Sequence, residues 1–529
     1  MLNVIPLPAK CEERYGEFVI GKDTKVYADK ELQDIKEFFR EIPSRACGYS
    51  LDISETPAEI NFIYERHVPK EGYRLECTAE KLEITASELS GAFYAVQTAR
   101  QLLNADVVDK AEILTMHAVL IEDAPRYKWR GLMLDESRHF FGKAFVEKLL
   151  ELMACHKLNV FHWHLTDNEG WRVDIKKYPK LKEIGSVRAG TQTSAWKRAD
   201  VEEIPYAGCY SREDIKEIVA FAQKLRIMIV PEIDMPAHFG AALAAYPELG
   251  CRGVQMEPPV VHSDGSRGYN GIIACAGKER VYRFVYDVID ELSELFPAPY
   301  FHIGGDEAPK KEWKECPDCQ KIIKDKGLKD EEELQGYFNN KIALYLKTKG
   351  KRMIGWNEIL KASNLESSAI VQYWIESGEK LVSEAVASGR TVVISKRKAF
   401  YFDMPYAFVN LKTTYNYEPE FGSKGVSGVE ATLWTEWMRT PERVWFQLFP
   451  RMEALAEAAW TPKDLKSYPD FRKRLAKFLP ILLKRGLDYA PESFIDRRGL
   501  SAAQITAKFN TIDAHCEYKK AMTKSRKYK

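Results

Sequence analysis

Short apolar runs of β type recur along residues 129–434, each separated from the next by a longer stretch whose apolar positions have helical spacing. Eight can be read: WRGLMLD, LNVFHWHL, IMIVPEID, YFHIGGD, RMIGWN, AIVQYWI, TVVISK and VSGVEATLW. Runs this rich in Val, Ile, Leu and aromatic residues, with little polar alternation, suit the strands of a parallel sheet covered on both faces. Between them, FVEKLLELMACHKL and the stretch from Ser211 to Leu225 read as amphipathic helices, the second opened by Ser211 and Asp214 in the pattern of a capping box. Eight βα units in roughly 330 residues predict an α/β fold, an enlarged (β/α)8 barrel of the TIM type.

The flanks have a different texture. Residues 1–122 alternate β-rich runs (TKVYA, EINFIYE, YRLECTA, KLEITA) with two helical ones, ELQDIKEFFREI and ELSGAFYAVQTARQLLN, which predicts a small α+β accessory domain. The barrel is expected over 123–460. A C-terminal helical extension, 461–529, includes DFRKRLAKFLPILLKRGL and the segment after Ser501, and ends in a basic stretch, KSRKYK, read as a solvated tail. No internal repeat or low-complexity tract interrupts this order.

Composition narrows the partners. The 529 residues are 45% hydrophobic and 12% aromatic, enough for a sizeable core. Lys plus Arg (78) and Asp plus Glu (77) almost cancel, so no global field favours nucleic acid or an anionic membrane, and a neutral partner fits better. No window approaches a membrane span of about 18 apolar residues. The start, MLNVIPLPAK, lacks the features of a signal peptide, so the expected location is the cytoplasm, or the periplasm or exterior if a leader has been removed. Ten cysteines are too few for a disulfide scaffold and read as mostly reduced. Cys316-Pro-Asp-Cys319 has the spacing of a metal knuckle, but no second CxxC completes a four-ligand zinc site, and a local disulfide or two plain thiols are the favoured readings.

In a barrel of this kind chemistry belongs at the C-terminal ends of the strands. Almost every run ends in polar or aromatic residues: Asp135, Arg138 and His139; His162, His164 and Asp167; Glu232, Asp234 and His238; His302, Asp306 and Glu307; Trp356 and Glu358; Trp374; and, around the last two, Tyr401, Asp403, Trp434 and Glu436. Aromatic faces stack on a pyranose while carboxylates and Arg bind its hydroxyls, so the mixture suits a sugar. There is no Lys/Arg cluster for phosphate and no Walker-type loop.

HIGGDEAP is the most informative stretch, with two glycines followed by adjacent carboxylates at a strand end. A helix N-terminus lined with acids would look similar, but the other seven strand ends argue for acid/base work. Glycosidases usually place two carboxyls about 5 to 9 Å apart across the scissile bond, so an adjacent pair is unusual; it becomes reasonable if one carboxylate orients a nucleophile belonging to the substrate.

Through WRGLMLDESRHFF, HWHLTDNEGWR, PEIDMPAH, HIGGDEAP, GWNE, QYW, YFD and LWTE, in that order from Trp129 to Glu436, the sequence resembles family 20 glycoside hydrolases, the β-N-acetylhexosaminidases. The domain before the barrel also resembles that family's accessory domain. The resemblance implies an exo-acting retaining enzyme that removes terminal β-linked GlcNAc or GalNAc through an oxazolinium intermediate, without cofactor or catalytic metal. It implies Glu307 as general acid and base, Asp306 as the partner of the acetamido N–H, and Tyr401 as donor to the acetamido oxygen. Trp356, Trp374 and Trp434 would wall the acetamido pocket, Arg138 would grip O3 and O4, and Asp403 with Glu436 would bind O4 and O6. Asp167 and His238 would tune the acid. The expected partner is an oligosaccharide or glycoconjugate, and a homodimer is compatible with the sequence. Departures from the commonest pattern are Ala237 in place of glycine, Asn168-Glu169 after Asp167, and Phe402 between Tyr401 and Asp403.

Three alternatives stay open. His162-x-His164 with His238, His302 and Asp306 could bind zinc in a metal-dependent hydrolase. A non-catalytic sugar binder would have no use for a proton donor beside a glycosidic bond. A disaccharide-releasing enzyme of the same family would need a pocket open beyond Asp403 and Glu436. For His162 and His164 the plain reading is satisfied polar residues lining the barrel mouth.

Overall fold

The eight apolar runs fold as the strands of one closed barrel: β1 (Trp129–Asp135), β2 (Val160–His164), β3 (Met228–Glu232), β4 (Tyr300–His302), β5 (Arg352–Trp356), β6 (Ile370–Tyr373), β7 (Val392–Ile394) and β8 (Val426–Leu433). Each pairs in parallel with its neighbours, and β8 closes against β1. This computed structural model describes residues 2–106, 110–193, 201–260, 272–419, 421 and 425–496.

Side chains two apart share a face of a strand, and that period sorts the barrel interior into layers. Trp129, Val160, Val230, Ile354, Ile370 and Val393 form the apolar layer at the N-terminal end. Two residues further along come His162, Glu232, Trp356 and Gln372, all buried. Glu430 of β8 serves this polar layer by accepting from Trp129 Nε1 (2.8 Å), His162 Nδ1 (2.8 Å) and Gln372 Nε2 (2.6 Å). Apolar packing therefore closes the bottom of the barrel, and hydrogen-bonding groups concentrate toward the end where chemistry is expected.

The helix Arg212–Lys224 opens with the expected capping box. Ser211 Oγ accepts from Asp214 N (3.1 Å) and the Asp214 carboxylate accepts from Ser211 N (3.0 Å).

The N-terminal sheet has seven strands in the order Lys10–Ile20, Leu114–Asp123, Tyr73–Cys77, Leu82–Ala86, Ile60–Tyr64, Lys25–Ala28 and Asp52–Ile53. The helices Ile35–Cys47 and Leu89–Leu102 accompany it. The sequence reading identified four of these strands and missed the first, second and last. KCEERYGEFVI is charged and mostly exposed, so it shows no buried stripe; main-chain pairing with Leu114–Asp123 holds it as an edge strand. The sheet joins the barrel through Asp123. Its carboxylate meets Lys157 Nζ (3.1 Å), Tyr73 Oη (2.7 Å) and Trp460 Nε1 (2.9 Å). Both ions of the Lys157–Asp123 pair are wholly buried, so removing either partner would strand the other, at a cost of about 3–5 kcal/mol.

Within 461–529 the structure contains the helices Tyr468–Lys484 and Glu492–Ile495; the segment after Ser501 and the basic end lie outside the described residues. Among the described residues no helix is long and apolar enough to cross a membrane. None of the nine described cysteines is in a disulfide. The reading that Cys316 and Cys319 lack two further ligand partners is corrected: Cys251 and Cys275, neither in a CxxC, converge on them from the chain that follows β3. Spacing could not reveal this, because the fold supplies the second pair from single positions.

Candidate active site

The residues proposed from the sequence meet at the C-terminal end of the barrel, ten of the eleven joined in one series of contacts. Glu307 Oε2 and Asp306 Oδ2 lie 3.5 and 3.6 Å from His238 Nε2. His238 Nδ1 is 3.1 Å from Asp167, whose other oxygen is 2.8 Å from the Arg138 guanidinium. Arg138 reaches Glu436 at 3.8 Å and lies over the Trp434 ring at 5.4 Å. Ring centroids continue from Trp434 to Trp356 (5.8 Å) and Tyr401 (6.4 Å), and Tyr401 stacks on Trp374 (5.7 Å, 18°). Asp403 is outside that series of contacts, but its carboxyl feels the charge of Glu436.

The backbone at the acidic pair is shaped by β4 and the two glycines. Gly304 has φ +66°, and a Cβ there would lie 1.7 Å from Asp234 Oδ1, so only glycine admits this carboxyl so close to the chain. Asp234 Oδ1 accepts in turn from Gly305 N (3.3 Å). Glu307 and His238 also have positive φ, +46° and +51°. Such conformations cost a non-glycine residue about 1–3 kcal/mol and cluster where a side chain must be aimed. Here they are the acid and the imidazole that faces it.

The two carboxyls differ in environment. Asp306 is buried, its Oδ1 has no hydrogen-bond partner, and burial pushes its pKa up from 3.8 to about 8 despite the nearby His238 charge. The Glu307 side chain is 57% exposed, and the His238 imidazole 3.5 Å away holds its pKa below the usual value. Asp306 thus waits for a donor inside the pocket, whereas Glu307 stands at its rim.

Aromatic residues form the pocket wall. Trp356 is 1% exposed and donates to Glu232 Oε1 (3.0 Å); Trp374 donates to Glu358 Oε2 (2.8 Å). Tyr401 bridges to Thr432 of β8, and burial raises its phenol well above 10, so it stays a neutral donor. Asp403, raised chiefly by burial and then by Glu436, keeps Oδ1 unpaired.

Sequence reasoning undervalued four groups. Glu232 is the hub beneath the site, contacting His164 Nδ1 (2.5 Å), His302 Nδ1 (2.8 Å) and His162 Nε2 (3.0 Å). Burial opposes its ionisation, yet His302, His164 and His162 hold it well below the usual carboxylate range. Glu358 fixes Trp374, and Asp135 (3.2 Å) and Glu169 (3.0 Å) hold Arg138. All four stand at or just beyond strand ends, the signal by which they could have been weighted. The departure Asn168-Glu169 is structural in effect: Glu169 adds a carboxylate to Arg138, and Asn168 Oδ1 accepts from Gly240 N (3.1 Å). Phe402 is buried, with its N–H on Thr432 O (2.8 Å), and Ala237 is also buried.

The histidines bear on the metal alternative. His162 Nδ1 faces Glu430 and its Nε2 faces Glu232, while His164 faces Glu232 and Asp167. An imidazole nitrogen hydrogen-bonded to a carboxylate carries a proton rather than a free lone pair. His164 is satisfied by carboxylates at both nitrogens, as the plain reading expected, whereas His162 is bonded to Glu430 through Nδ1 and its Nε2, 3.0 Å from Glu232, makes no hydrogen bond.

These shifts set a pH dependence of stability. Burial opposes protonation of His162, but Glu232 and Glu430 raise it from 6.5 to about 9; Glu232 likewise raises His164, and Asp167 raises His238, both well above 6.5. Their stabilisation is complete below the unfolded value of 6.5 and is lost as pH rises through the folded values. Burial raises Asp306 to about 8 and Glu136 to about 7, which acts in the same direction. Asp167 and Glu232, held low, lose their contribution only as pH falls below their unfolded values of 3.8 and 4.5. Lys310, pushed by burial down to about 8, acts in the opposite direction above that pH, so thermal melts at fixed ionic strength should show Tm falling from pH 6.5 to about 8. A flat Tm across that window would contradict the charge assignment.

The family profile described as "Glycosyl hydrolase family 20, catalytic domain" matches residues 127–463, and that of "Glycosyl hydrolase family 20, domain 2" matches residues 1–124. A "Beta-hexosaminidase" of Porphyromonas gingivalis is 37% identical over 92% of this chain, which spans 64% of that longer protein. One from Akkermansia muciniphila is 32% identical over 82% of this chain and 88% of its own. A crystal structure of a GH20 exo β-N-acetylglucosaminidase from Vibrio harveyi, in complex with N-acetylglucosamine, superposes with a TM-score of 0.83 at 32% identity, covering 92% of this chain and 78% of that one. With the barrel, the adjacent acidic pair and the aromatic pocket all present, the chain belongs to glycosyl hydrolase family 20.

Proposed function

We propose that this protein is an exo-acting retaining β-N-acetylhexosaminidase that removes terminal β-linked GlcNAc or GalNAc from glycans by substrate-assisted catalysis. The observation that carries the reading is the pairing of a buried Asp306, its Oδ1 unpartnered, with an exposed Glu307 beside it. The beta-hexosaminidase relatives and the N-acetylglucosamine complex of the Vibrio harveyi enzyme support the same class.

In this reading the acetamido group enters the cage of Trp356, Trp374 and Trp434. Its N–H donates to Asp306, which favours the aspartate anion, and Tyr401 donates to its oxygen. Glu307, held ionised by His238 in the free protein, takes up a proton as the substrate binds and Asp306 ionises, and delivers it to the departing glycosidic oxygen as the acetamido oxygen attacks the anomeric carbon. The positive oxazolinium so formed is stabilised by the adjacent Asp306 anion, with little water to screen the pair. Glu307, now a carboxylate, takes a proton from the water that opens the ring, restoring the acetamido group and retaining β configuration. His238, between Asp167 and the acidic pair, holds Glu307 in place before substrate arrives. Arg138, Asp403 and Glu436 bind the hydroxyls of the terminal sugar, which favours exo action.

The test is hydrolysis of paired aryl β-glycosides of N-acetylglucosamine, N-acetylgalactosamine and glucose, with and without EDTA. Turnover of acetamido sugars only, unchanged by brief exposure to chelator, is the expected result. Cleavage of the glucoside at a similar rate, abolition by EDTA, or no cleavage of any of them would overturn the reading.

A further inference from the structure

The motif that the active site does not use is the cysteine cluster beside it. Cys251, Cys275, Cys316 and Cys319 place all their sulfurs within 4.8 Å of one another. The shortest separations are 3.6 Å (Cys275–Cys319), 3.7 Å (Cys275–Cys316) and 3.9 Å (Cys251–Cys319). A disulfide would bring one pair to about 2.0 Å. Four thiolates each about 2.3 Å from a tetrahedral zinc lie about 3.8 Å apart. Three of the cysteines are buried, and Cys251 is half-buried.

We propose that these four cysteines form a structural zinc site, independent of the catalytic reading. The backbone around them has the features that thiolate ligands need. Gly277 N donates to Cys275 Sγ, as amides do in metal knuckles. A Cβ on Gly277 would meet the Asp318 carbonyl carbon at 2.3 Å and Cys319 N at 2.5 Å, so glycine is required for the two cysteine-bearing segments to approach this closely. Cys316 caps the helix Pro317–Lys326, placing Cys319 in its first turn, where the helix dipole favours a thiolate. Binding Zn2+ would displace the thiol protons and leave a net charge of −2. Lys278 lies at the same corner, donating to the carbonyls of Gly250 (2.6 Å) and Cys251 (3.2 Å), and partly offsets that charge.

The position gives the site a purpose. Cys251 follows the segment that begins at His238, and Cys316 is nine residues beyond Glu307. A four-thiolate zinc would tie together the two loops that carry the acid and the imidazole facing it, which hold only short helices, such as Gly240–Ala245 and Lys311–Glu315, before their cysteines. All four positions are ligands, so none is left for a water or substrate, as expected of a structural rather than a catalytic metal.

Metal analysis of the full-length protein, purified without chelator from zinc-supplemented cells, should give one zinc per chain. An organomercurial should release that zinc in step with the titration of four thiols. Cys275→Ser and Cys316→Ser should each reduce zinc to background, whereas Cys47→Ser, outside the cluster, should retain it. Cobalt(II) exchanged into the site should show the intense visible bands of tetrahedral thiolate coordination. Absence of stoichiometric metal in the wild-type protein, with the four cysteines alkylated under native conditions or recovered as disulfides by mass spectrometry, would overturn the proposal. So would zinc that persists in both cysteine variants. Because the first measurement uses the wild-type chain, failure of a variant to fold does not remove the test.

Discussion

Glu307→Gln should lower kcat by about 10²–10⁴-fold on natural glycans and other substrates with basic leaving groups, the range expected when a general acid is removed. The loss should shrink for aryl glycosides whose phenolate departs unaided, because protonation matters less as the leaving group becomes more acidic. For those substrates opening of the oxazolinium should become limiting, since the same residue deprotonates water in the second step. Glutamine keeps the size and hydrogen-bonding reach of the side chain at φ +46°, so the backbone geometry that aims it is retained. The measurement is kcat and kcat/KM across a leaving-group series, with circular dichroism to verify folding. A loss that is uniform along the series would point to misplacement of the substrate instead of missing acid catalysis, and unchanged activity would remove Glu307 from the mechanism.

Asp306→Asn should depress turnover of every acetamido substrate by about 10²–10³-fold, whatever the leaving group, because the lost charge stabilises the oxazolinium and not the departing oxygen. The insensitivity to leaving group distinguishes this variant from Glu307→Gln. The buried Asp306 has a pKa pushed up to about 8 in the free enzyme, and the acetamido N–H would favour its anion in the complex. In the wild-type enzyme the acid limb of kcat should accordingly lie at lower pH than the acid limb of kcat/KM, and this separation should vanish in Asp306→Asn. Progressive fluorination of the acetamido methyl should slow the wild-type enzyme by weakening the carbonyl oxygen as nucleophile. Equal rates along that series would argue against participation by the substrate.

Much of this site can be read in the chain because a parallel barrel imposes a simple rule: a run of apolar residues ends where the mouth begins. Arg138, Asp167, His238, Asp306, Glu307, Trp356, Trp374, Tyr401, Asp403, Trp434 and Glu436 all follow such runs, and the structure gathers them at one mouth, all but Asp403 linked by direct contacts. The rule says less about division of labour among strand-end residues. Glu232 and His238 both come from the end of β3, yet Glu232 lies beneath the floor, contacting three histidines, while His238 turns back toward the acids. That difference depends on backbone conformation after the strand, including the positive φ at His238, which no side-chain pattern encodes.

The sequence by itself determined the barrel, its eight strands, the acidic pair and the aromatic company it keeps, because burial on both faces of a strand demands continuous apolar runs and chemistry demands polar residues where they stop. Tertiary structure alone decided three things: that Lys10–Ile20 is a strand, that Asp306 is buried while its neighbour is exposed, and that Cys251 and Cys275 complete a cluster with Cys316 and Cys319. Each depends on groups far apart in the chain. An edge strand is stabilised by its partner's main chain, a pKa by whatever excludes water around the group, and a thiol cluster by loops that meet only after the barrel has closed.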